Sequence, residues 1–167
     1  MNQIGSFAAT PEALRQAVGT EAFVTDWVEM TQTRIDLFAK ATEDYQWLHV
    51  DPQRAARESS YGGTIAHGML TLSLTGKFYA EYVTLPFCEM SINYGLNKVR
   101  FINPVRAGSR VRGRFLLSQL DDIAGGLQLS FTITMEIEGQ ERPACVAESV
   151  IRQYYPAAAP ARSEVQT

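Results

Sequence analysis

Two histidines occur in the 167 residues, and each falls in a short segment dense with other residues able to do chemistry. His49 closes the run Asp44-Tyr45-Gln46-Trp47-Leu48-His49, with Asp51-Pro52 just beyond. His67 stands in Ala66-His67-Gly68-Met69. A carboxylate and an imidazole close together in one loop can share a single water, one group withdrawing its proton while the other donates elsewhere. Imidazole suits this work because its unperturbed pKa is about 6.5, and a carboxylate joins it once burial or hydrogen bonding moves its own value. Asp44 and His49 are therefore the candidate chemical pair. Gly68, at the start of a helix, would offer a backbone N–H with no side chain in front of it. Such a donor stabilises negative charge developing on a carbonyl oxygen.

Each of these residues also has a plain structural reading. An aspartate after a helix serves as a turn or cap, and a histidine in an aromatic loop packs and hydrogen-bonds. Asp51 before Pro52 reads as a helix cap. His67 reads as a structural residue that fixes the glycine-rich loop Ser59-Ser60-Tyr61-Gly62-Gly63-Thr64 by hydrogen bonds. His67 is accordingly expected to support the pair rather than to belong to it.

Other chemistries fail on inventory. The chain has no Gly-x-Ser-x-Gly elbow, no phosphate loop and no Gly-x-Gly-x-x-Gly fingerprint. Two histidines in different loops, with Cys88 and Cys145 far from both in sequence, argue against a metal centre. The two cysteines suggest neither a disulfide framework nor a metal pair, and read as reduced thiols of a cytoplasmic protein, Cys145 inside a strand. A net charge of −3 gives no basic footprint for nucleic acid. The run Arg100, Arg106, Arg110, Arg112, Arg114 reads as the solvated face of strands. No apolar stretch approaches the roughly 20 residues that span a membrane, and the first residues lack a signal-peptide layout.

The elements that must position the pair can be read from periodicity. Hydrophobic residues make up 46% of the chain and charged residues 20%, enough for one domain with one core. Thr10-Pro11 opens a short helix that Gly19 ends. Residues 22–30 suggest a first strand. Thr31 caps a helix with Ile35, Phe38 and Ala39 at helical spacing, which places Asp44 to His49 in a loop after its end. Asp51-Pro52 starts another short helix, to about Arg57. From Ala66 to Tyr82 runs the longest helical pattern, apolar nearly all round and hence central. The second half alternates instead. Leu127, Leu129, Phe131, Ile133, Met135 and Ile137 make a strict period of two, and Val111, Phe115 and Leu117 a second strand. Residues 98–102 and 144–154 add two more, with turns at Gly125-Gly126 and Glu138-Gly139-Gln140. A strongly curved antiparallel sheet wrapped on one long helix, an α+β domain, satisfies this order.

Taken together, Phe38-Ala39, Asp44-x-Gln46-x-x-His49-x-Asp51-Pro52 and Gly62-Gly63-Thr64-Ile65-Ala66-His67-Gly68-Met69 resemble the MaoC-like (R)-specific enoyl-CoA hydratases. The likeness is greatest to the branch related to nodulation protein N and the mycobacterial hydratases. Residues 93–105, from Asn93-Tyr94-Gly95 to Asn103-Pro104-Val105, with Gly108-Ser109, resemble the same branch. The resemblance runs from about Gly19 to Tyr155. It divides the chain into an N-terminal extension (1–18), a MaoC-like domain (19–155) and a tail (156–167). It implies a hot-dog fold, a homodimer, and no cofactor or metal. It further implies that Asp44 and His49 activate a water for addition across a trans-2-enoyl thioester of CoA or an acyl carrier, while Gly68 N–H binds the thioester oxygen. The product would be an (R)-3-hydroxyacyl thioester. Dehydration in the reverse direction, a hot-dog thioesterase and a non-catalytic acyl-CoA-binding protein stay open as alternatives. Two departures stand out. Gln46-Trp47 replaces the commoner Asn-Pro, and Gly76 falls near where some members carry a serine, with Ser73 and Thr75 close by.

Overall fold

A computed structural model describes residues 7–8 and 10–156. In chain order the elements are β1 (Phe7–Ala8), α1 (Pro11–Ala17), β2 (Glu21–Val24), β3 (Val28–Glu29), α2 (Gln32–Thr42), α3 (Trp47–Val50) and α4 (Pro52–Glu58). They continue with α5 (Gly68–Tyr82), β4 (Val83–Thr84), β5 (Met90–Phe101), β6 (Arg110–Ile123), β7 (Gly126–Ile137) and β8 (Cys145–Tyr154). The alternation of β7 becomes a two-faced strand: Leu127, Leu129, Phe131, Ile133, Met135 and Ile137 are all buried, and the residues between them are half-buried. Around it the sheet is antiparallel in the order β2-β6-β7-β8-β5, with β3 also on β6.

The inner face of this sheet closes on α5, which buries Leu70, Leu72, Leu74, Phe78, Tyr79 and Tyr82. Close approach is set by one small residue. A Cβ at Gly113 of β6 would stand 3.1 Å from the Phe78 ring and 2.7 Å from that of Phe115. Rings of Phe23, Tyr82, Phe115, Phe131 and Tyr79 stack or meet edge to face through the same core. Each such ring or aliphatic side chain removed from water contributes about 1.5–3 kcal/mol, so this layer holds α5 in place. Beneath it, the fully buried Gln153 donates to the Tyr79 hydroxyl at 2.7 Å and accepts from Tyr155 at 2.6 Å. The expected α+β, hot-dog architecture is what forms.

Several expectations need correction. The strand read over 22–30 is two short strands on β6, interrupted at Thr25-Asp26-Trp27. There Thr25 pairs with Gly113 through both its backbone and its hydroxyl, each at 2.9 Å, and Asp26 N–H donates to the Tyr82 hydroxyl at 2.6 Å. The strand read over 98–102 begins eight residues earlier, at Met90. Asn93, Gly95 and Asn97 weaken its propensity, and almost every residue of β5 is exposed, so no alternation marked it. The N-terminal extension read over 1–18 is tied to the domain: Phe7 and Ala8 pair in parallel with Val83 and Thr84, and Phe7 packs on the core. Leu14 of α1 is fully buried in that same core. Residues 1–6 and 9 of the N-terminal extension, and the tail from 157 onward, lie outside the described residues. Among the described residues no helix is long and apolar enough to cross a membrane.

Candidate active site

Helix α2 begins at Thr31, whose hydroxyl accepts from Arg34 N–H at 3.2 Å, and ends on Glu43 in the left-handed region, φ 60°. That reversal sends Asp44-Tyr45-Gln46 back across the domain. The segment expected to be loop up to His49 is then a single helical turn, α3, in which Asp51 N–H donates to Trp47 O at 3.0 Å. Four residues are too few to show helical periodicity, which is why the pattern passed for loop. Asp51 closes α3 and caps α4, its carboxylate accepting from Arg54 N–H at 2.9 Å, as the cap reading requires.

Backbone bonds fasten α3 to the strand-like segment before α5. Ile65 N–H donates to Leu48 O at 3.1 Å, and Ala66 N–H to Val105 O at 2.7 Å. The Gln32 side chain bridges both parts: its amide N–H donates to His49 O at 2.7 Å while its carbonyl accepts from the Thr64 hydroxyl at 2.5 Å. His49 itself is 8% exposed, with Nδ1 2.7 Å from Ile65 O. A backbone carbonyl only accepts, so Nδ1 must carry the proton and Nε2 a lone pair. Burial pushes the imidazole pKa below its ordinary 6.5, against the pull of the Ile65 carbonyl; His67 lowers it further and Asp44 raises it.

His67 was expected to fix the glycine-rich loop. It does something else. The residue caps α5 without a side-chain cap bond, and its ring is 3% exposed. Nε2 lies 3.0 Å from the backbone carbonyl oxygen of Asp44 and 3.9 Å from its carboxylate. The ring stacks on His49 with centroids 3.8 Å apart and meets Phe38 at 5.0 Å. The glycine loop is held instead by Ser59, which bonds the backbone of Tyr61 and Gly62, and by the Arg106 guanidinium on Gly62 O at 3.1 Å. Asp44 leaves its side chain 55% exposed, with only a 3.4 Å contact from Gln46 N–H. The Gln46 side chain is exposed and makes no hydrogen bond among the described residues.

Atoms of Asp44, His49 and His67 that could bind a proton or a cation lie within 4.8 Å of one another. Two hydrogen-bond partners of one water, each near 2.8 Å at a tetrahedral angle, stand about 4.5 Å apart, so a spacing within 4.8 Å admits one shared water between Asp44 and His49. A shared cation fits less well. Rings stacked at 27° have no common in-plane point within the roughly 2.1 Å reach of a metal–nitrogen bond. The donor set suits a metal and the ring geometry does not.

His49, Tyr61, Gly68, Thr71, Phe101 and Asn103 line one cleft of about 300 Å³. Gly68 is the first residue of α5, where helical geometry leaves N–H groups without an intrahelical acceptor. Phe101 lies flat across it: a Cβ at Gly68 would come within 2.9 Å of the ring. Asp44 is not on the cleft wall. Further along α5, Met69, Leu72, Thr75, Gly76 and Leu96 line a second, more open groove of about 370 Å³. At Gly76, where the resemblance looks for a serine, a Cβ would find only the Asn93 amide, 3.7 Å away. Gln32, Thr64 and Phe101 carried no sequence signal of their own. Gln32 follows a helix cap like any first-turn residue, and Phe101 sits in a strand without alternation.

A family model described as MaoC like domain matches residues 14–136. The 3-hydroxyacyl-thioester dehydratase Z of Mycobacterium tuberculosis is 47% identical over 140 residues, covering 83% of this chain and 92% of its own. Nodulation protein N of Rhizobium leguminosarum bv. viciae is 46% identical over 144 residues, covering 85% and 87%. Among solved structures, the (R)-hydratase of A. caviae involved in PHA biosynthesis superposes with a TM-score of 0.65 at 25% identity, over 83% of this chain and 96% of its own.

Proposed function

Because this chain belongs to the MaoC-like hydratases and dehydratases, a family of hydro-lyases, we propose that it adds water to trans-2-enoyl thioesters of CoA or an acyl carrier and yields (R)-3-hydroxyacyl thioesters. One observation supports the reading: the Asp44 carboxylate lies within 4.8 Å of the Nδ1-protonated imidazole of His49, which lines a cleft together with a helix-start glycine. The His49 Nε2 lone pair takes a proton from the water as its oxygen bonds to C3, with Asp44 holding that water. Electron density moves from the C2=C3 bond onto the thioester oxygen, which accepts from Gly68 N–H. C2 then collects the proton from His49, and the pair returns to its starting charge. The same steps run backward dehydrate a 3-hydroxyacyl thioester.

Two copies acting as a homodimer belong to the same reading. It is supported by β5, an edge strand that exposes Met90, Ile92, Tyr94 and Leu96 at alternate positions, and Phe101 near its end. The reading also has the enzyme working in the cytoplasm, in keeping with its two free thiols. Hydration of crotonyl-CoA tests it. Asp44→Asn and His49→Ala should each lower kcat by roughly 10²–10⁴-fold with the circular dichroism spectrum unchanged. Wild-type rates in both variants would sink the assignment. Thiol release from the same substrate, run alongside, would reveal a thioesterase, and binding without turnover a carrier of acyl-CoA.

A further inference from the structure

Resting on that hydratase reading, we infer that His67 is the positioning residue of the reaction: its Nε2–H fixes the Asp44 main chain, and its ring face fixes His49. Three observations converge on one ring. Nε2 is 3.0 Å from Asp44 O, an atom that can only accept, so the proton sits on Nε2. The ring stacks on His49 at 3.8 Å and is 3% exposed, so it has little freedom to leave. Its Nδ1 is buried with no hydrogen-bond partner, so the ring gains nothing from the loop it was expected to hold.

What needs fixing is Asp44. It sits on three residues between the left-handed end of α2 and the first turn of α3, and its carboxylate is more than half exposed. The carboxylate's only hydrogen bond to another residue among the described residues is the 3.4 Å one from Gln46 N–H, long for such a bond. A bond to the carbonyl rather than to the carboxylate holds the backbone while leaving both carboxylate oxygens available to water. The two imidazoles must then be opposite tautomers. His49 carries its proton on Nδ1, toward Ile65 O, and His67 on Nε2, toward Asp44 O. Stacking keeps the His49 lone pair and the Asp44 carboxylate at a fixed separation across the water.

The test separates the donor from the ring. His67→Gln keeps an N–H at the same bond count from Cβ, whereas His67→Phe keeps a flat ring and removes the donor. In crotonyl-CoA hydration, His67→Phe should lose roughly 100-fold in kcat, the scale of an ångström of misplacement, with KM nearly unchanged. His67→Gln, which restores the donor but not the stacked ring, should recover part of that loss. Wild-type kcat in His67→Phe, or an equal fall in both variants, overturns the proposal. Should the Phe variant not fold, nitrogen-15 shifts of the wild-type chain decide, since only two histidines contribute. The expected result is one Nδ1–H and one Nε2–H ring, and two rings of the same tautomer overturn the proposal. A wild-type chain that does not hydrate enoyl-CoA defeats the hydratase reading instead, and the tautomers still report on the His67–Asp44 bond.

Discussion

At the residue scale, the site divides its labour between groups that face solvent and groups that cannot. His49 is the buried member, and burial disfavours its imidazolium. Its folded pKa therefore lies below the unfolded 6.5, and the unfolded chain takes up the proton first as the pH falls. The stability tied to the neutral ring is complete above about pH 6.5 and declines as pH falls from there through the folded value. The Nε2 lone pair on which the proposed hydration depends disappears over the same folded transition. The log kcat/KM profile for hydration should thus be flat near neutrality and fall with an acid limb centred below 6.5; a limb centred above that value would contradict a depressed His49. Gly68 supplies a second residue-scale case. An added methyl would meet the Phe101 ring at 2.9 Å, but that ring is half exposed and free to swing outward. Gly68→Ala should consequently leave the melting temperature within a few degrees, an alanine being the better helix former by about 1 kcal/mol. Hydration should fall by roughly ten- to a hundredfold as the methyl crowds the N–H, with kcat/KM the measurement that shows it.

Elements explain what could be read in advance and what could not. The inner strands β6, β7 and β8 and the helix α5 were legible because burial imposes a period, two in strands and 3.6 in helices, on residues that face a core. Asp44, His49 and Gly68 could be named as candidates from their types and spacing, beside the plain structural readings each also has. The elements that bring them together were not legible. Strand β5 has no buried face in this chain, α3 is shorter than a helical repeat, and Thr25 continues a strand with its hydroxyl, so none of the three leaves a periodic trace. His67 was assigned to the wrong partner because spacing places it near the glycine loop, whereas packing turns it to Asp44. Gln32 is the clearest example, a half-buried amide whose bonds to His49 and Thr64 join α2, α3 and the segment before α5. Gln32→Leu leaves the His49 carbonyl and the Thr64 hydroxyl without partners. Chemical denaturation should register a loss of about 1–3 kcal/mol. Hydration at saturating substrate should fall as well, because the helical turn carrying His49 loses a fastening.

At the scale of the whole molecule, the two edges of the sheet differ: short strands β2 and β3 form one and the long strand β5 the other. Beyond β8, the edge strand β5 runs for 12 residues with apolar side chains exposed along it, and its register against β8 shifts twice, near Asn93–Gly95 and Leu96–Lys98. A long apolar edge with unpaired backbone groups invites another strand, and an identical β5 is the partner that the homodimer reading supplies. Leu96→Lys places a charge in the middle of that run without touching the core. Light scattering should then report a shift from dimer toward monomer at micromolar concentration, with thermal stability falling alongside. A chain that stays dimeric with Lys at this position would move the interface elsewhere.

The Gln32 bridge also bears on how the molecule breathes. The carbonyl of His49, the hydroxyl of Thr64 and the first turn of α2 are tied through one side chain, while Ile65 answers Leu48 and His49 from the other direction. No one of these pieces can detach without breaking bonds held by the others. The segments 47–50 and 64–66 therefore open and close as a single cooperative unit, and a thioester that grips either one slows the fluctuations of both.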